Sequence, residues 1–192
     1  MDLLKVIAGP IAGILLAWAV GNRLSARWVW WQKRREQTQA AANDFYRLYG
    51  EFFATWKLWN YSLQQPEGAG WENRRWELLE RAAAAEAGVE ALLVKLASER
   101  VLNQSEMEAL GKFRQGFQTL RQMVRDRKRL DWGSSDYPQY ASFKALASYT
   151  ARLVSTVDQG KPPSLEDTQR ALSIITSNVW EKTWHVAGSP DA

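Results

Sequence analysis

The chain has 192 residues, of which 46% are hydrophobic and 24% charged, a composition typical of a packed core that excludes global disorder. Cysteine is absent, which excludes disulfides, thiolate metal ligands and thiol catalysis, and the single histidine, His185, excludes most imidazole metal sites. Tryptophan is abundant, with eleven residues.

The net charge of +4 is confined to the start of the chain. Residues 1–36 hold six basic and two acidic side chains, whereas residues 37–192 hold nineteen of each. A nucleic-acid-binding protein normally carries its basic excess on one face of the folded domain. We therefore predict no nucleic-acid partner.

An uncharged segment, VIAGPIAGILLAWAV, occupies residues 6–20. With the two leucines and the lysine before it, the apolar stretch reaches eighteen residues, roughly 27 Å of helix, which is enough to cross a bilayer. We predict a transmembrane helix over residues 1–22. A signal peptide cleaved after Ala19 is disfavoured, because the residues before the segment are barely basic and those after it strongly so. A buried soluble helix is disfavoured because apolar residues cover every face.

Aromatic and basic residues follow the predicted span over residues 23–36. Indole rings favour the headgroup level of a bilayer, and Lys and Arg favour the anionic cytoplasmic leaflet just beyond it. The charge asymmetry predicts that the N-terminus lies outside and the C-terminal domain in the cytoplasm. The predicted membrane-interface belt comprises Arg23, Arg27, Trp28, Trp30, Trp31, Lys33, Arg34 and Arg35.

Small residues recur at every fourth position within the predicted span, forming a ladder of Gly9, Gly13, Ala17 and Gly21. Small side chains let two helix backbones approach closely in lipid, where hydrophobicity gives no advantage to association. We predict that the ladder packs against a second copy, giving a homo-oligomer. The alternative is that it faces lipid and the span is a plain anchor.

The helical pattern continues beyond the span, and no proline appears between residues 11 and 65. We predict a first helix that ends at Leu63 and a second over about 71–101. A capping box at Asn103 begins the third helix, and the fourth covers about 138–158. A second capping box at Ser164 begins the fifth, which extends to about His185. No segment alternates with the period of a strand. The predicted fold is all-α: a transmembrane helix that continues into a cytoplasmic antiparallel bundle of four to five helices over residues 37–186, with a flexible tail over 187–192.

Apolar residues at steps of three and four predict the buried face of each helix. In the second helix these are Trp76, Leu79, Ala83, Val89, Leu93 and Leu96. In the third they are Met107, Leu110, Phe113, Phe117, Leu120 and Val124, and in the fifth Leu165, Leu172, Ile175 and Val179.

Residues 45–61 contain eight aromatics in seventeen positions. Because aromatic side chains supply large buried areas, we expect this stretch to be a central helix of the bundle. The alternative is that one strip faces a protein partner, since Trp and Tyr dominate interface hot spots. That strip comprises Tyr46, Tyr49, Phe53 and Trp56.

A second basic cluster, near the end of the third helix, comprises Arg121, Arg125, Arg127, Lys128 and Arg129. We favour a solvated helix end whose cations complement the helix dipole. A site for phosphate or anionic lipid is the alternative, although no glycine-rich loop accompanies the cluster.

No motif predicts catalysis. Glu77, Glu80 and Glu86 have the spacing of exposed helix salt bridges, and His185 lacks the partners of a di-metal bundle. We predict no enzyme and no catalytic, cofactor-binding or metal-binding residue. The expected function is a single-pass scaffold or adaptor that presents its bundle to protein partners. A membrane-active effector that assembles a pore is the alternative, disfavoured because residues 6–20 contain no polar side chain to line one.

Overall fold

The computed structural model describes the backbone of residues 3–66, 68, 70–130, 132, 138–156 and 162–185. Within residues 3–27 it describes the exposure of Trp18, Gly21 and Ser25 only, and it does not describe that of residue 138. The described residues form five α-helices and one short 3-10 helix, with no strand. The helices are α1 (Leu3–Ser62), α2 (Trp71–Glu99), α3 (Gln104–Arg125), α4 (Pro138–Ser155) and α5 (Leu165–Ile175), followed by the 3-10 helix Asn178–Lys182. The all-α prediction is confirmed.

The chain divides into two compact units, Met1–Gln39 and Ala40–Ala192. The prediction placed the start of the bundle after Glu36. The first unit is described as part of α1, and the second holds the rest of α1 and every other helix.

The second unit is a helical bundle, as predicted, and α3 lies at its centre. This helix contacts α2, α4, α5 and the 3-10 helix. It also meets α1, where the rings of Phe45 and Phe113 lie 5.5 Å apart and those of Phe52 and Phe117 lie 4.9 Å apart. All six apolar residues predicted for the buried face of the third helix are buried.

Ion pairs align α2 and α3 in opposite directions. Residues that come later in α2 pair with residues that come earlier in α3, and the start of α2 pairs with a residue just beyond the end of α3. The pairs are Glu72 with Arg127, Glu86 with Arg121, and Glu90 with Arg114. The two inner pairs are partly buried, so solvent screens them less than the outer one.

Both predicted capping boxes are confirmed. The Glu106 amide donates to Asn103 Oδ1 at 2.9 Å, and the Asn103 amide donates to Glu106 Oε2 at 2.8 Å. At α5, the Asp167 amide donates to Ser164 Oγ at 3.1 Å, and the Ser164 amide donates to Asp167 Oδ2 at 3.1 Å. Each box satisfies amides that a helix start leaves unpaired.

The predicted buried face of the second helix is wrong at Trp76 and Ala83, which are exposed. The buried residues of α2 instead follow a row that starts at Trp71 and continues through Leu78, Ala82, Ala85 and Val89. Trp76 lies off that row, and its ring lies 5.0 Å from the Arg75 guanidinium.

The predicted fifth helix is wrong in its length and at two of its apolar positions. α5 ends at Ile175, and both Leu165 and Val179 are exposed. Ser177 ends the α-helical pattern because its hydroxyl accepts the Val179 amide, an alternative to the helical bond that serine offers readily.

Candidate functional site

The described part of the predicted belt is an exposed group of aromatic and basic side chains. Trp28 is 67% exposed, Trp30 48% and Trp31 37%. The rings of Trp30 and Trp31 meet edge-to-face at 5.5 Å, and the Arg34 guanidinium lies 4.6 Å from the Trp30 ring, one turn earlier. Lys33 and Arg35 are exposed. The side chains of Arg23 and Arg27 lie outside the described residues.

The three indoles of the belt share one side of the helix. Successive helical residues lie about 100° apart, so Trp28, Trp30 and Trp31 fall within about 160° of the circumference of α1, and the exposed Val29 lies on the opposite side. The three cations that follow span about 200°. Indoles are typical of the headgroup level both in a helix that crosses a membrane and in one that lies on it, so this arrangement does not separate the two.

The predicted span receives no support from the structure. No helix in the part of the chain that the structure describes is long and apolar enough to cross a membrane. In the ladder, the side chains of Gly9, Gly13 and Ala17 lie outside the described residues. Gly21 is exposed, and apart from its own chain neighbours and the backbone of its own helix no atom lies within 4 Å of a Cβ placed there. Packing through the ladder stays a prediction.

The aromatic strip is divided between surface and core. Tyr46 is exposed, Tyr49 and Phe53 are half-buried, and Trp56 is buried. Phe53 and Trp56 each lie 5.7 Å from the ring of Tyr140 on α4. Burial raises the pKa of the Tyr49 phenol, and the nearby Tyr140 raises it further. Binding of a partner by this strip stays a prediction, with Tyr46 as its exposed member.

Sequence reasoning missed a groove of about 600 Å³ between the end of α1 and the start of α2. Its apolar lining includes Leu58 and Tyr61, both exposed, above the buried Leu78. Arg74 and Arg81 contribute two guanidinium groups, and Arg81 is held by Glu51 of α1 at 2.6 Å. The only signal in the sequence is that Leu58 and Tyr61 lie between the inward positions of α1.

Three of the five side chains in the second basic cluster form ion pairs with acidic residues of the bundle. Arg121 pairs with Glu86, Arg125 with Asp126, and Arg127 with Glu72. Arg125 lowers the pKa of the Asp126 carboxyl through its hydrogen bond and charge. These pairs agree with a solvated, internally neutralised helix end better than with an anion site.

Among the described residues, no three histidine, aspartate or glutamate side chains cluster as ligands of a metal ion would. His185 packs edge-to-face on Trp184, with ring centroids 5.8 Å apart. The chain matches no model of a protein family, no curated protein and no solved structure.

Proposed function

We propose that this chain is a single-pass membrane-anchored scaffold or adaptor. Residues 1–22 cross the bilayer, the belt lies at the cytoplasmic headgroups, and the bundle is presented to protein partners in the cytoplasm. One observation carries the proposal: three exposed indoles lie on α1 immediately before three exposed or half-exposed cations. This order is that of a helix leaving the membrane on its cytoplasmic side.

The basic residues set the orientation. Each Lys or Arg close to an anionic leaflet contributes about 1 kcal/mol, so Lys33, Arg34 and Arg35 together contribute about 3 kcal/mol. A reporter fused after Ala192 should be active only if it works in the cytoplasm, and the chain should stay in the membrane after carbonate washing. Replacing the three cations with Gln should give mixed orientation. A mature protein that starts at Val20 would show that the segment is a cleaved signal peptide.

Urea extraction separates a helix that crosses the bilayer from one that lies on its surface. If α1 crosses, urea should release neither the wild type nor Trp28→Ala nor Trp30→Ala from vesicles, because the span holds the chain. If α1 lies flat, urea should release more of the variant that lacks an indole facing the membrane than of the wild type. The released fraction is measured on vesicles of mixed zwitterionic and anionic lipid, with Trp76→Ala in the bundle as the matched control.

Self-association through the ladder belongs to the same proposal. Gly13→Ile adds bulk without polarity, so insertion should survive while close packing is lost. We expect crosslinked dimers or larger species from the wild type and from the control Leu15→Val, and mostly monomer from Gly13→Ile. Equal crosslinking in all three would leave the span as a plain anchor.

We assign partner binding to the groove between α1 and α2, because Leu58 and Tyr61 expose apolar surface there beside two arginines. Affinity purification from detergent should recover the same partners with the wild type and with Trp76→Ser, which is exposed but lies outside the groove. Those partners should be lost with the double variant Leu58→Ser, Tyr61→Ser. Retention of every partner by the double variant would move the binding surface elsewhere.

A further inference from the structure

The groove between α1 and α2 combines apolar and charged surface. Leu58 and Tyr61 of α1 expose apolar side chains to it, and the buried Leu78 of α2 contributes to its lining. Arg74 and Arg81 of α2 bring two guanidinium groups to the same groove. Sites of this kind hold a ligand by apolar contact and fix its orientation through a small number of polar groups.

Two contacts give the order of residues along the groove. The Nε1 of Trp71 donates to the Ser62 carbonyl at 3.4 Å, and Glu51 forms an ion pair with Arg81. The end of α1 and the start of α2 therefore run in opposite directions. Arg74 lies at the end of the groove near the turn that joins the two helices, and Arg81 lies toward the other end.

Arg74 differs from the other two arginines of α2. Arg75 holds the carboxylate of Glu72 at 2.9 Å. Arg81 holds that of Glu51 at 2.6 Å. The Arg74 side chain is exposed, and its guanidinium forms no ion pair with any residue that the structure describes. A free guanidinium beside an apolar surface is suited to a carboxylate, which it can bind through two parallel hydrogen bonds.

The charge of Glu77 limits where a carboxylate can bind. Glu77 lines the groove, is exposed, and forms no ion pair within the described part of the chain. It would repel a carboxylate placed toward the Arg81 end, where the guanidinium is already paired. The ligand with the best charge complementarity therefore carries one carboxylate, and that carboxylate lies at Arg74.

We propose that the groove binds a segment of a partner protein in which an apolar residue is followed by a single aspartate or glutamate. The apolar side chain packs on Leu58 and Tyr61, and the carboxylate binds Arg74. This inference rests on the proposed function, which assigns partner binding to the same groove, and adds the chemistry of the partner.

Three blocked tripeptides test the charge. The probe is acetyl-Trp-Leu-Asp-amide, and the comparison peptides carry Asn or Lys in place of Asp. Affinities are measured from chemical shifts of the leucine methyl and arginine side-chain signals of the isotope-labelled full chain in nanodiscs of zwitterionic lipid. The wild type should bind the Asp peptide about threefold to fivefold more tightly than the Asn peptide, the effect of one exposed ion pair.

A change of charge at Arg74 should change the preference. With Arg74→Glu, the Lys peptide should bind more tightly than the Asp peptide, and with Arg74→Gln the Asp and Asn peptides should bind equally. Arg129→Gln is the matched control, because Arg129 is an exposed arginine that does not line the groove, and it should keep the wild-type preference. The double variant Leu58→Ser, Tyr61→Ser should bind all three peptides more weakly.

The possible failures are distinguishable. Equal binding of the Asp and Asn peptides by the wild type, with both weakened in the double variant, would overturn the charge assignment and keep the groove as the partner site. Peptide binding that the double variant retains would overturn both. Failure of the Asp peptide to bind at millimolar concentration would overturn this inference. So would a Leu58 signal that responds instead only to anionic lipid, or only to a second copy of the chain in the same nanodisc.

Discussion

Phe143 of α4 is the residue whose truncation should reveal most about the bundle. It is fully buried, and its ring centroid lies between 4.7 and 6.5 Å from six other aromatic rings. These rings come from α1, from α3 and from two residues that follow α3 and α5: Tyr49, Phe52, Phe113, Phe117, Trp132 and Trp184. Truncation of Phe143 therefore leaves a cavity where α1, α3 and α4 meet the two tryptophans that follow α3 and α5.

The expected cost follows from this geometry. A buried Phe→Ala change costs about 3–5 kcal/mol, and the loss of several aromatic contacts places Phe143→Ala toward the upper half of that range. For a domain of this size, about 4 kcal/mol corresponds to a fall of roughly 8–16 °C in the Tm. Urea unfolding followed by circular dichroism, on the full chain in detergent, measures the change in the free energy of unfolding.

Two control variants make the result interpretable. Phe143→Leu keeps most of the volume and should cost about half as much or less. Trp76→Ala removes a larger side chain that is 60% exposed and should change stability by only about 0.5 kcal/mol. If Phe143→Ala were no more destabilising than Trp76→Ala, the aromatic cluster would not be the core of the bundle.

Three further outcomes are expected. Trp59→Phe should destabilise the bundle by about 1 kcal/mol in urea unfolding, because it removes the 2.7 Å hydrogen bond from Nε1 to the Lys128 carbonyl. Asn103→Ala should cost about 1 kcal/mol through loss of the α3 cap, and Asn103→Ser should restore most of it. Hydrogen bonds to Ser164 lower the pKa of the Asp167 carboxyl. This carboxyl should therefore titrate at a lower pH than that of an unfolded aspartate, as measured by carboxyl carbon chemical shifts. The carboxylate therefore favours folding above the unfolded pKa, and this contribution should disappear as the pH falls through the folded pKa.

The sequence predicted α3 well because independent signals agree there. A capping box marks its start, and apolar residues recur at steps of three and four over its whole length. Its burial on several sides follows from contacts with α1, α2, α4, α5 and the 3-10 helix, which no pattern within α3 predicts. Lys112 and Gln115 are buried for that reason, although their residue types predict exposure.

The sequence predicted α2 and the end of α5 less well because the local pattern was ambiguous. The alanines at 82–85 fit either of two neighbouring faces of the helix. Because Trp76 is large and apolar, the prediction placed it on the buried face, and the predicted face was therefore wrong. Near Val179, the apolar residues continue the helical period, but the side chains of Thr176 and Ser177 form hydrogen bonds with the backbone and the helix ends there. Propensity and periodicity conflict there, and hydrogen bonding decides the result.

The candidate sites also differ in how much of them the sequence could predict. The belt is a feature of consecutive residues, so its composition and order are visible in the sequence, and its place at a membrane interface stays a prediction. The groove between α1 and α2 depends on which residues of two helices face each other across a turn. Gly111 and Gly116 reveal their role only when the rings that lie against them are placed, that of Trp180 at Gly111 and that of Phe143 at Gly116.

The distribution of tryptophans makes the fluorescence of this chain a two-part signal. The indoles of the first unit, Trp18, Trp28, Trp30 and Trp31, are all more than a third exposed, whereas most of those in the second unit are buried. Exposed indoles emit at longer wavelength and are reached by quenchers from their surroundings, and buried indoles emit at shorter wavelength and are shielded. In a Trp76→Phe variant, which removes the most exposed indole of the bundle, the red edge of the emission spectrum reports the exposure to water of the indoles in the first unit, and the blue edge reports the packing of the bundle.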